Sequence, residues 1–271
     1  MRLFRSNLRR LARRPATLVT YLLLIGLILL IILAVAAASG QAADPQSALA
    51  ARLILTFPAA WTVTLSMVLG IGGMLALTYG AAIAGSEWSW GTLKAAVARG
   101  EGRSWYTLMG IAGVTVMAWV GTLIAYAVGI VGAFAGAAAV HVASATVIDA
   151  QTAGDLAGQL ARAGLGIAMD VAIGYAIATI ARSQLAGIGA GIGLYFGEGI
   201  LGIFVPQVIK WAPFAATSAM LGGGSTGLGG SAAAASSSRL DPDLAVAVVA
   251  VWLVLAVAVA ALWTERAEIS G

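Results

Sequence analysis

Six stretches of this chain are long and apolar enough to cross a lipid bilayer, and no other feature of the sequence limits its architecture so strongly. A spanning helix needs about 20 mostly apolar residues, because the hydrocarbon core is roughly 30 Å thick and each helical residue rises about 1.5 Å. Thr17–Ala38, Ala59–Ala84, Tyr106–Val140, Leu185–Val205 and Leu244–Trp263 meet that requirement directly, and Ala163–Ala181 meets it with Asp170 near its middle. The third run exceeds one span, so the crossing part is placed at 106–134 and the rest tilts or protrudes as helix. Of the 271 residues 61% are hydrophobic and 10% charged, against about 25% charged in an ordinary soluble domain. A surface so poor in charge does not stay dispersed in water, which excludes the soluble and disordered classes. The expected fold is an all-α polytopic membrane protein with six transmembrane helices.

Orientation follows from where Lys and Arg fall. With the N-terminus inside, the inner segments hold eleven of the fifteen basic residues, and only Arg52, Arg162, Lys210 and Arg239 lie outside. Without the first fourteen residues the ratio falls to five against four, so the N-terminal cluster carries most of the signal. An even number of spans places both termini in the cytoplasm. The apolar run after that cluster is full span length, longer than the roughly 7–15 apolar residues of a signal peptide, so it is read as a retained anchor.

Residues 1–15 have a pattern of their own. Phe4, Leu8 and Leu11 fall at helical spacing with arginines over the remainder, and Pro15 closes the segment. The pattern fits an interfacial amphipathic helix with its apolar stripe in the acyl boundary and its guanidinium groups on anionic headgroups. A plain basic flank that only sets topology is the blander reading. Nucleic-acid binding is not expected, since no second basic patch with interleaved aromatics exists.

The chain has no cysteine and one histidine, His141, which excludes disulfides, thiolate sites and histidine-cluster metal centres. A phosphate-binding loop would read G-x-x-x-x-G-K-[ST], and neither lysine, Lys94 or Lys210, follows such glycines. The run Gly222–Gly230 lacks the lysine and continues into Ala/Ser repeats, so it reads as a flexible loop.

The most informative segment is 86–105, SEWSWGTLKAAVARGEGRSW, between the second and third spans. Thr92 is placed to cap a two-turn helix over Leu93–Arg99 that Gly100 stops. Leu93 and Val97 fall on one side of it and Lys94 on another. Glu87, Arg99 and Arg103 are suited to charge-assisted hydrogen bonds with a partner; a solvated loop that only fixes orientation is the alternative.

Glu87-x-x-x-Gly91-Thr92-Leu93, then Ala98-Arg99-Gly100 and Arg103, resembles the cytoplasmic signature of ABC-2-type transporter permeases. The layout is also similar: a basic interfacial helix, six spans, and a long insertion at 206–243. The nearest likeness is to bacterial antibiotic- and bacitracin-resistance permeases. One departure is that relatives often carry a lysine where the third helix begins, and here Met109-Gly110 stands. The resemblance implies an ABC-2 (type V-like) exporter fold in a bacterial cytoplasmic membrane. It implies two copies of a separate ATP-binding subunit docked on Glu87, Gly91, Thr92, Leu93, Lys94, Val97, Arg99 and Arg103, and a second permease subunit. ATP and Mg would then be bound by the partner, no cofactor by this chain, and the chain would not itself be an enzyme. The cargo would be a drug, antibiotic peptide or lipid-like molecule, and short re-entrant helices in 206–243, started by Pro206 and Pro213, would cap the exit.

Two acids stand within spans, Asp170 and Glu198. A carboxylate at mid-bilayer costs about 2.5–3.5 kcal/mol on insertion scales, so each needs a partner, a proton or an inward-facing environment. They are candidates for the translocation path, with Tyr195 and Phe196 beside Glu198; a protonated acid bonded to a neighbouring helix is the structural alternative. A proton- or cation-coupled secondary transporter using Asp170 and Glu198 is the rival function, although no inverted repeat is visible. Gly189, Gly193 and Gly197 make successive GxxxG steps, which read as a helix-packing face.

Overall fold

The computed structural model describes residues 2–39, 55–139, 141, 150–221 and 239–267. Those residues are helical with short connections and form no strand. In chain order the helices are α1 (Arg2–Ala12), α2 (Pro15–Ser39), α3 (Ala59–Ser89), α4 (Thr92–Ala98), α5 (Arg103–Ala139), α6 (Ala150–Ala181), α7 (Gln184–Phe204), α8 (Pro206–Ile209), α9 (Pro213–Met220) and α10 (Pro242–Arg266). Six of them, α2, α3, α5, α6, α7 and α10, are long and apolar enough to cross a membrane, so the chain has the build of a multi-pass membrane protein.

Two helix ends differ from the sequence expectation. The second span continues past Ala84 to Ser89, which puts Glu87 inside the helix and not in the loop. The fourth begins at Ala150 instead of Ala163, so Asp155 and Arg162 are helical. His141 is exposed after α5, while Arg52, Asp149 and Gly222–Gly230 fall outside the described residues.

Two helices form the centre. The apolar windows of α3 and α6 are 67% and 72% buried, whereas that of α2 is only 17%. The cause is glycine at the crossing. A Cβ on Gly80 would lie 2.5 Å from the Val171 carbonyl oxygen, and one on Gly174 would collide with that of Leu77, so the two backbones touch directly. Small residues allow such approach where apolar burial gives no drive between helices in lipid. The other spans pack around this pair by one face each. On α2, Leu24, Ile28 and Ile32 are buried while Leu18, Leu22, Leu30 and Leu33 stand exposed, an arrangement suited to lipid.

Beyond α7 the chain turns back. Pro206 and Pro213 occupy the first turns of α8 and α9, where the missing N–H costs nothing. Trp252 of α10 donates through Nε1 to the Trp211 carbonyl at 2.9 Å and holds the turn between them.

Candidate functional site

At the end of the bundle that carries α1 and α4, four helices converge on one carboxylate. Glu87 is 3% exposed. Arg10 of α1 donates to its Oε1 at 2.7 Å, Tyr106 of α5 donates to the same oxygen at 3.3 Å, and Tyr175 of α6 donates to Oε2 at 2.7 Å. Arg10 also donates to Asn7 Oδ1 at 2.8 Å, and Asn7 Nδ2 donates to the Met109 carbonyl at 3.0 Å. Burial pulls the Arg10 guanidinium down, but the charge of Glu87 and the Tyr106 contact outweigh it and hold its pKa above the ordinary arginine value. Arg14, half-buried and beside Arg10, is shifted the other way by burial first and by that like charge second; it donates to Ser86 Oγ at 3.1 Å and lies over the Trp90 ring.

Glycine again makes the room. A Cβ on Gly110 would stand 2.7 Å from the Tyr175 hydroxyl, and one on Gly113 would stand 2.7 Å from Asn7 Nδ2. Met109-Gly110, the departure from the resembled pattern, therefore supplies a carbonyl for Asn7 and a gap for Tyr175. The start of the third span is anchored through α1 and α6 and has no lysine there.

Above this node sits α4. Gly91 precedes it at φ +66° and Gly100 follows it at φ +89°, backbone conformations that a side chain resists. Thr92 is not the cap: Gly91 holds that position, and the Thr92 hydroxyl donates back to the Glu87 carbonyl at 3.2 Å. At the other end Gly100 N–H donates to Val97 O and Glu101 N–H to Ala96 O, the paired bonds of a Schellman stop. Leu93 and Ala96 are buried, Val97 is intermediate, and Lys94, Ala95, Ala98 and Arg99 face outward. Arg103 does not reach outward. It donates to the carbonyls of Glu265 and Ala267 at 3.2 and 3.1 Å, and Ser104 N–H donates to Glu265 Oε2. Glu87 and Arg103, expected to meet a partner, instead brace the loop from inside because each found an internal counterpart. A cavity of about 280 Å³ opens between α1, α4 and α5, lined among others by Asn7, Arg10, Thr92 and Arg99.

The second cluster lies toward the other end. Glu198 is 6% exposed and accepts backbone N–H groups from Phe214 at 3.3 Å and from Ala215. It thereby caps α9, whose own N-cap residue, Ala212, supplies no side-chain bond. Arg162 donates to the carbonyl of Met220, the last residue of α9, and pairs with Asp243 at 2.9 Å. An anion at the N-terminus and a cation at the C-terminus both favour the helix dipole. Tyr195 donates to the Gly70 carbonyl at 2.8 Å and its ring lies 4.8 Å from that of Phe214, whereas Phe196 points outward at 48% exposure. Asp170, on α6, is buried against α3.

The glycine face on the fifth span is corrected. A Cβ on Gly189, Gly193 or Gly197 would meet nothing within 4 Å, whereas one on Gly187 would sit 2.5 Å from Ala178 Cβ and one on Gly191 would strike Leu77. Within the chain the packing residues are Gly187 and Gly191; the GxxxG stripe looks away from the bundle.

Arg10, Asn7, Tyr106, Tyr175 and Arg162 carry these sites and were not singled out from the sequence. The one legible hint was an acid closing a span opposite an arginine-rich helix. Among the described residues no group of three or more His, Cys, Asp or Glu is placed to hold a metal ion. Compared with models of known protein families and with curated proteins, the chain matches none.

Proposed function

We propose that this chain is the permease subunit of an ATP-driven exporter of the ABC-2 type, and that α4 is the knuckle through which a separate ATPase moves it. The observation that carries the reading is the construction of α4. It is a short helix stopped at both ends by left-handed glycines, tied through Thr92 to Glu87 and so to α1, α5 and α6. A push on its outward residues would be delivered to three spans at once. The distribution of basic residues supports placing this end in the cytoplasm, with α1 lying in the interface. ATP and Mg belong to the partner, for the chain has only two lysines and no phosphate loop.

The open stripe of Gly189, Gly193 and Gly197 is the face for a second permease subunit, since only small residues let two backbones close without displacing side chains. Tyr195, Phe196 and Glu198 border the path, and α9 caps its exit. Drugs, antibiotic peptides and lipid-like molecules are the substrate classes that suit it.

Reversing Lys94 and Arg99 to glutamate together is the direct test of docking. Both are exposed, so membrane insertion and yield are expected to match the wild type while a P-loop ATPase that co-purifies with the wild type is lost. Retention of the ATPase by the reversed chain, or transport in vesicles driven by an ion gradient with no ATPase present, overturns the reading. For the paired subunit, Gly193→Leu is expected to separate cross-linked pairs into single chains without shifting the tryptophan-detected melting transition.

A further inference from the structure

Asp170 is the one buried acid of the described spans whose carboxyl group has not been given its bonds. It is 3% exposed, and its Oδ1 is sealed from the surface with no hydrogen-bond donor in reach. On the other side the backbone of α3 closes in: a Cβ on Gly73 would lie 2.7 Å from Oδ2. Glu198, similarly buried, differs in its bonds, because it accepts two backbone N–H groups. Tyr195, the nearest hydroxyl-bearing neighbour on α7, has spent its proton on the Gly70 carbonyl. The ion pairs Arg10–Glu87 and Arg162–Asp243 do not include Asp170. Glu198 and Tyr195, both on α7, are the titratable groups that bear on it electrostatically.

What this position can hold follows from its oxygens. A divalent or alkali cation needs several oxygen ligands, and here one unspent carboxyl oxygen faces a closed wall. An ionised carboxylate would sit in an apolar core with its Oδ1 unpaired. The cation that needs neither ligands nor space is a proton. Adding one to the carboxyl removes the buried charge.

We propose that Asp170 is a proton-binding site built into the membrane core and occupied in the resting protein. Release of that proton leaves a charge buried against α3 with no donor for Oδ1. The site stands whether or not an ATPase drives the chain, since nothing in it involves α4.

The test uses the full chain in lipid nanodiscs treated with dicyclohexylcarbodiimide, an apolar reagent that attacks protonated carboxyls, followed by peptide mapping. The expected result is an N-acylurea adduct at Asp170 at neutral pH that is lost at alkaline pH. A second measurement follows tryptophan-detected melting. A folded state that binds a proton the unfolded state releases loses stability as pH rises, so the wild type is expected to melt progressively lower toward alkaline pH. Asp170→Asn, which has the shape of the protonated acid and no proton to lose, is expected to melt like the wild type at neutral pH and to lack that decline. Either readout, traced to Asp170, supports the site. Absence of the adduct together with melting curves of wild type and variant that run parallel in pH overturns it.

Discussion

Glu87→Ala is expected to remove about 3 kcal/mol of stability, seen as a lower melting temperature of the detergent-solubilised chain by tryptophan fluorescence. Breaking a buried ion pair by deleting one partner costs roughly 3–5 kcal/mol, because the remaining charge stays buried without compensation. The lower end applies here, since the Arg10 side chain keeps 35% of its surface while that of Glu87 keeps 4%. Deletion also leaves the hydroxyls of Tyr175 and Tyr106 without the acceptor they share. Trp88 and Trp90 lie on the same stretch, and Trp90 is in contact with Arg14, so the fluorescence reports the node itself. Glu87→Gln keeps the shape and one acceptor oxygen and is expected to lose less than Glu87→Ala. A wild-type transition in Glu87→Ala would mean that the four helices are held by packing alone.

Gly174→Ala is expected to be more damaging than its single added methyl suggests, with a loss of about 3 kcal/mol. Overfilling a packed interior costs typically about 1–3 kcal/mol when side chains can shift. Here the methyl would meet the backbone carbonyl of Leu77, which has no rotamer to turn into. The two most buried spans would have to separate, and the contacts at Gly80 and Val171 would open with them. Gly193→Ala serves as the comparison: the added methyl meets nothing, and alanine is the better helix former by about 1 kcal/mol. Its melting temperature is expected to stay level or rise. A Gly174→Ala chain that melts with Gly193→Ala would show that α3 and α6 cross less closely than described.

The two substitutions mark where the sequence was legible and where it was not. Glycines alternate through the fifth span at 187, 189, 191, 193 and 197. A helix repeats near every fourth residue, so that run offers two stripes, Gly187–Gly191 and Gly189–Gly193–Gly197, and periodicity ranks neither above the other. The choice was made by Leu77 and Ala178, which arrive from other helices. Glu87 is a similar case. Near tryptophans and charges it read as part of a loop, yet Arg10 and Tyr175, 77 and 88 positions away, make it the interior of a span. Thr92 shows the limit at short range: a threonine before a helical run is a common cap, but Gly91 can take the left-handed turn and frees the hydroxyl to bond backward.

The amino-acid order by itself determined that this chain is helical and that six of its segments are long and apolar enough to cross a membrane. Those properties are local: they depend on the length of an apolar run and the chemistry of its own residues. It also marked the turns at Gly100, Pro206 and Pro213, which are properties of single backbones. Only the tertiary structure decided that Glu87 is a buried node, that Glu198 caps a helix outside its own span, and that Asp170 is left without a donor. A polar group inside an apolar bundle takes its meaning from whatever neighbour reaches it, and those neighbours come from distant parts of the chain.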